Sequence, residues 1–163
     1  MKTRLAGILI LVLLIAAVAW QWHADDADAR AHTLTTLDPS SVEHIDVELK
    51  GLPGQRFERK DGHWASASGT VDEGRAEELA SLAETPVASW KPASDFDAAR
   101  IGLSPPIAVL VLDGTRLEFG EMTALGKQRY VRVGERIAFV PAQALPRAPR
   151  TASLPTTSSS GAP

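Results

Sequence analysis

The chain of 163 residues is 44% hydrophobic and 23% charged, with 17 basic against 20 acidic side chains, a globular and mildly acidic balance that excludes a disordered chain. It contains no cysteine. Disulfide scaffolds, thiolate metal sites, lipobox anchoring and a cysteine nucleophile are thereby excluded, while an oxidising compartment stays open because exported proteins need not use disulfides.

Lys2 and Arg4 precede an uncharged run from Leu5 to Trp22. At about 1.5 Å per residue this run makes about 27 Å of helix, which just spans a hydrocarbon core. Residues 1–22 therefore read as a transmembrane signal-anchor. The basic residues before the run, with Asp25, Asp26 and Asp28 after it, keep the N-terminus in the cytoplasm and export the remainder. Trp20 and Trp22 stand where a membrane-interface aromatic belt would lie. The rival reading is a cleaved signal peptide, since Leu5 to Ala16 has the length of its apolar region and Ala17-Val18-Ala19 satisfies the small-x-small cleavage rule. Both readings give the same compartment. Residues 23–33 carry no hydrophobic period and form a charged linker.

Residues 34–141 hold the folded domain. Ile45, Val47 and Leu49 alternate with His44, Asp46 and Glu48, so Val42 to Leu49 is a half-buried strand. Gly51-Leu52-Pro53-Gly54 turns the chain into a strand from Gln55 to Lys60, and Asp61-Gly62 is a type I′ hairpin signal. That turn sets Lys60 against His63, Arg59 against Trp64 and Phe57 against Ser66. Phe57 and Trp64 then share a face with Arg59 over the indole, and Trp64 belongs to the core.

Asp72 is the predicted N-cap of a helix, Val71 and Ala76 its staple, and Ala76, Leu79, Ala80 and Ala83 its apolar stripe, widened by Leu82 and ended by Pro86. A narrow, alanine-rich stripe suits packing across a sheet. Val87 to Trp90 reads as a short strand, and Asp95 to Arg100 as one helical turn capped by Ser94 or Asp95. Gly102-Leu103-Ser104-Pro105-Pro106 is irregular, because two prolines remove two donors. Ile107 to Leu112 and Thr115 to Phe119 form a hairpin about Asp113-Gly114, with Leu110 facing Leu117, Ala108 facing Phe119, and Arg116 and Glu118 on a wet face. A last hairpin, Gln128 to Val133 and Arg136 to Val140, turns at Gly134-Glu135 and sets Tyr130 against Phe139 and Val131 against Ala138. The expected fold is α+β, an antiparallel β-hairpin meander of about seven strands with one main helix packed on the sheet. Residues 142–163 are rich in Pro, Ser and Thr and read as a disordered tail.

Chemistry leaves few marks. His23, His32, His44 and His63 show no zinc spacing, and the aspartates after the apolar run read as a solvated spacer, so no metal site is expected. No G-x-S-x-G elbow, S-x-x-K pair, Walker loop or G-x-G-x-x-G occurs, so neither catalytic residues nor a cofactor is expected. Arg129, Arg132 and Arg136 are the one basic cluster of the folded part, read as solubility and edge protection; nucleic acid is not an expected partner. Trp90, in Ser89-Trp90-Lys91-Pro92, is the candidate partner contact, either a partly exposed anchor for a protein or a lid on the core.

The segment order resembles the bacterial envelope family called domain of unknown function 4340. The residues that carry the resemblance are the Val42 to Leu49 strand, Phe57-Glu58-Arg59-Lys60-Asp61-Gly62-His63-Trp64, Val71-Asp72, Ile101-Gly102-Leu103-Ser104-Pro105-Pro106, Val109-Leu110-Val111-Leu112-Asp113-Gly114, Phe119-Gly120 and Tyr130-Val131-Arg132. The resemblance covers residues 34 to 141 in a single copy. It implies an N-terminally anchored protein of the bacterial inner membrane, its C-terminal domain in the periplasm, accessory to an ABC-type transport system through an envelope protein partner. It supplies no catalytic residues. From the sequence, then, the chain is a membrane-anchored, non-enzymatic periplasmic interaction domain; a small-ligand module with a pocket between sheet and helix is the second reading and a hydrolase the third.

Overall fold

In the structure, a computed structural model, residues 32–66 and 73–149 are described. Trp20, Trp22, the apolar run and the predicted cap and staple at Asp72 and Val71 lie outside them. The strands are β1 (His44–Leu49), β2 (Gln55–Lys60), β3 (His63–Ser66), β4 (Ser89–Pro92), β5 (Ala108–Leu112), β6 (Thr115–Met122), β7 (Gln128–Val133) and β8 (Arg136–Pro141). The helix α1 (Glu73–Ser81) lies between β3 and β4 in the chain and runs on into a 3-10 turn at Leu82–Glu84.

All eight strands join one sheet in the order β3-β2-β1-β5-β6-β7-β8-β4, and every pairing is antiparallel. The expectation of about seven strands is corrected to eight, and that of a plain meander gives way to a sheet whose centre is the long-range β1 to β5 pair. The short strand expected at Val87 to Trp90 is β4, displaced to Ser89–Pro92; its pairing with β8 at the sheet edge is the tertiary event that a four-residue segment ending in proline does not announce.

The hairpin registers follow from the turns. Asp61 and Gly62 take φ of 52° and 82°, Asp113 and Gly114 of 44° and 84°, as a two-residue turn matched to strand twist requires. Arg59 accordingly faces Trp64, Leu110 faces Leu117, and Tyr130 faces Phe139. Asp113 also reaches across the sheet, its Oδ1 accepting the backbone N–H of His44 at 2.8 Å.

One sheet face carries Ile45, Val47, Leu110, Leu112, Leu117, Phe119, Val131, Ala138 and Val140, all buried, and packs against Ala76, Leu79, Ala80 and Ala83 of the predicted helix stripe. Methyl-sized contacts let the helix lie close. Its junction with the sheet edge is polar: Arg59 stacks over the Trp64 indole at 4.6 Å, and Glu77 Oε1 accepts from both Arg59 Nη2 and Trp64 Nε1 at 3.0 Å. Each partner in that cluster satisfies a group the others bury.

Both flanks enter the same core. Leu34 is fully buried and its N–H donates to Thr85 O at 2.9 Å, while Val87 N–H donates to His32 O at 2.6 Å; burying Leu34 contributes about 1.5–3 kcal/mol. Beyond Pro141 the chain stays on the domain as far as Arg147. Ala144 is buried with Leu145 beside it, and Arg147 pairs with Glu78 at 3.2 Å.

The opposite face is covered over β7 and β8 by residues 93–106, through Ile101, Leu103 and Phe96 packed on Ile137 and Tyr130. The helical turn expected at Asp95 to Arg100 is instead a 3-10 turn at Ala93–Asp95 followed by a turn that Asp97 caps, its Oδ1 accepting from Ala99 N at 3.0 Å. Ser104–Pro105 is a cis peptide bond. Close approach of this cover depends on Gly120, where a Cβ would collide with the Ile101 carbonyl oxygen and crowd Leu103 Cγ at 3.1 Å.

Trp64→Ala is expected to lower the unfolding free energy in urea by about 3–5 kcal/mol, through the cavity it leaves and the loss of the indole N–H to Glu77 and of the ring under Arg59. Truncation after Pro141 should cost about 1–3 kcal/mol, since Ala144 and Leu145 are lost from the core. Equal midpoints for wild type and the truncated chain would place the domain edge at Pro141. Gly120→Ala should cost about 1–3 kcal/mol by overpacking, read in the same melts, and an unchanged midpoint would show that the cover yields freely.

Candidate functional site

Trp90 lies at the middle of edge strand β4, directly opposite Ala138 of β8. The small partner leaves the indole room to lie against the sheet, and the ring is half-buried at the margin of the main core. Arg136, diagonal to Trp90 on the neighbouring strand, stacks its guanidinium 4.3 Å from the ring centroid. Each face of the indole therefore has a function in packing or in cation contact, and part of it meets solvent. The ring packs on the margin of the core and leaves part of its surface in solvent. Pro92 ends the strand and Lys91 is exposed, features that discourage another strand from pairing along this edge.

On the reverse side of β8 an aromatic cluster supports the same edge. Phe96, Tyr130 and Phe139 meet with centroids 5.2 to 6.0 Å apart in tilted and edge-on contacts, geometry that holds rings rigidly. The surface around Trp90 is thus built on a stiff support.

The three arginines grouped by sequence go separate ways. Arg136 covers Trp90. Arg129 is buried, and its Nη1 and Nε donate to Gly120 O and, at 3.3 Å, to Ala142 O. It clamps the bulge that interrupts the β6 to β7 register between Phe119 and Met122. Burial pushes its pKa down from the usual arginine value, yet an arginine keeps its charge. Arg132 pairs with Glu118 Oε2 as an ion pair, and Arg116 Nε donates to Glu118 Oε1 at 2.9 Å. These guanidinium groups do not converge on one positive face.

Glu118 is the residue that pattern reading misplaced. Its strand face was expected to be wet, but the carboxylate is buried between Arg116 and Arg132 beside Val109. Strand alternation puts a polar residue on the correct face without revealing that the face is covered, and the only sequence signal was the flanking arginines. Arg75 lies outside the predicted apolar stripe of the helix, yet it is buried, stacked 5.9 Å from the Phe57 ring, and donates to Gln55 Oε1 and to Arg147 O.

The histidines are scattered. His44 and His63 are exposed at one end of the sheet, with His44 Nδ1 3.6 Å from Asp113 Oδ1, and among the described residues no three His, Cys, Asp or Glu side chains gather as a metal site would need. Hollows occur on the surface of the described residues. One of about 470 Å³ lies between the end of α1 and the chain after β8, with Arg75, Leu82 and Leu145 in its wall. Another of about 460 Å³ is framed by Asp46, Glu48 and Arg56, and a third of about 480 Å³ by Val87, Ala88, Leu125 and Lys127. Among the described residues no helix is long and apolar enough to cross a membrane.

Comparison of the chain with models of protein families, with curated proteins and with solved structures finds no match.

Arg132→Ala is expected to cost about 1–3 kcal/mol because it strips a buried carboxylate of one partner. Joint replacement of Arg132 and Glu118 by leucine should recover most of that loss in urea melts. A double variant less stable than Arg132→Ala would show that the pair itself is favourable.

Proposed function

We propose that this chain is a membrane-tethered, non-enzymatic interaction domain of the bacterial cell envelope, its folded part in the periplasm, that binds a protein partner through the Trp90 edge as an accessory of an ABC-type transport system. The observation that carries the reading is the half-exposed indole of Trp90 under Arg136 at 4.3 Å. Tryptophan with arginine on a rigid, partly desolvated surface is the composition of an interface hot spot. Supporting it are the basic, apolar and acidic order of the first 28 residues, which favours an anchor and export, and the segment order shared with domain of unknown function 4340, of which this chain is proposed to be a single-copy relative.

A second reading is a small-ligand module that uses the hollow of about 470 Å³ beside α1. What favours it is the hollow's size and its mixed wall, in which the buried Arg75 sits with Leu79 and Leu82, the make-up of many small-molecule sites.

A photo-crosslinking side chain at exposed Lys91 in intact cells should give a discrete covalent adduct that the same group at Asp61 does not. Trp90→Ala should weaken that capture by roughly thirtyfold, about 2 kcal/mol, while the folded chain loses only about 1–2 kcal/mol from a half-buried ring and its cation contact. No adduct at Lys91, or a capture loss that merely follows the unfolded fraction, would sink the partner reading. Leu82→Trp, which fills the hollow, should leave the adduct unchanged; if it abolishes function instead, the small-ligand reading gains.

A further inference from the structure

The two ends of the sheet differ in chemistry. At the end reached by the start of β1, the turns are Asp61-Gly62, Asp113-Gly114 and Gly134-Glu135, each carrying an exposed acid. At the other end the turns are Lys50-Gly51-Leu52-Pro53-Gly54 and Thr123-Ala124-Leu125-Gly126-Lys127, each carrying an exposed lysine and an exposed leucine. The exposed large apolar residues among those described, Leu52 at 45%, Met122 at 53% and Leu125 at 86%, all lie at this second end. Single exposed leucines are ordinary, but their gathering at one end with lysines is not a solvent-facing pattern.

The chain also comes into the domain at that end. His32 accepts from Val87 N at 2.6 Å and Thr33 bridges Pro86, and Pro86, Val87 and Ala88 form one wall of the hollow whose other wall is Leu125 and Lys127. Residues 23–31, fully extended, reach at most about 30 Å. A tether of that length attached here keeps this end within about 30 Å of whatever the N-terminal run is embedded in.

We infer that the Leu52 and Leu125 turns are a membrane-docking surface, with the two leucines and Met122 seated in the bilayer interface and Lys50 and Lys127 on lipid phosphates. The inference rests on the reading of Leu5 to Trp22 as a bilayer-spanning anchor. The tips are separated by three strand spacings, about 14 Å, so both can touch one flat surface. Apolar side chains flanked by lysines are the interfacial combination that anionic bilayers retain. Glu48 beside the Leu52 turn and Glu121 on β6, both exposed, are acidic groups near this end and set a limit on charge attraction. Each contact is weak alone, but a short tether supplies a high local concentration of bilayer. Docked in this way, the domain directs its acidic turns away from the membrane and leaves the β4 edge with Trp90 to one side.

The absence of cysteine makes the test direct. Full-length chain carrying Ala124→Cys or, as control, Glu135→Cys is labelled with an environment-sensitive fluorophore and reconstituted in vesicles of phosphatidylcholine with phosphatidylglycerol. Flotation after an alkaline wash reports the anchor. The label at 124 should shift to the blue and lose roughly half its emission to nitroxide-bearing lipids, the label at 135 should do neither, and Leu52→Asp with Leu125→Asp should abolish the quenching while flotation persists. Neutral vesicles should reduce it. A chain that fails to float overturns the anchor and this inference together. A floating chain whose two labels behave alike overturns the docking surface and spares the anchor, and a blue shift without lipid quenching assigns the end to protein contact and overturns it equally.

Discussion

A single short helix cannot cover this sheet. Eight strands at about 4.8 Å make an apolar face about 34 Å wide, whereas the nine residues of α1 give about 14 Å of helix. The exposed remainder would leave Val131, Ala138 and Val140 in water. The chain answers with its flanks: Leu34, Val42 and Leu37 from before β1, Val87 from the approach to β4, and Ala144 and Leu145 from beyond β8 all pack on the same cluster. The packing of Leu34 and Leu145 on the domain follows from that deficit of cover.

The same constraint shapes the second face. Over β7 and β8 it is roofed by residues 93–106, which approach because Gly120 lacks a side chain. On the same face Glu118 is buried between Arg116 and Arg132. A carboxylate in that position needs its two arginines, which removes Arg132 from the surface chemistry its sequence neighbourhood indicates. Arg129 is likewise committed to the carbonyl oxygens of Gly120 in the bulge and of Ala142 beyond β8. What remains for a partner is the β4 edge with Trp90 and Arg136, and what remains for a lipid surface is the pair of leucine-bearing turns.

These features divide the molecule into regions of distinct use. The β1 to β5 pairing and the helix stripe form a packed centre, the β4 margin carries the exposed half of an indole on a rigid aromatic support, and the two sheet ends carry opposite chemistry. On the proposed reading, a tether attached beside the lysine-bearing turns would give such a domain an orientation as well as a location.

The sequence by itself determined every two-residue hairpin turn, with the registers about Asp61-Gly62 and Asp113-Gly114, the helix stripe Ala76, Leu79, Ala80 and Ala83, and the placing of Arg59 over Trp64. These are short-range consequences of turn dihedrals and side-chain period, and they need no knowledge of the rest of the chain. Only the tertiary structure decided that β1 pairs with β5, that β4 pairs with β8, that Glu118, Arg75 and Arg129 are buried, and that Leu52, Met122 and Leu125 share an end. Each of those depends on which distant segment lies alongside. Local pattern says which face of a strand is apolar, whereas burial of a charge depends on what covers the other face.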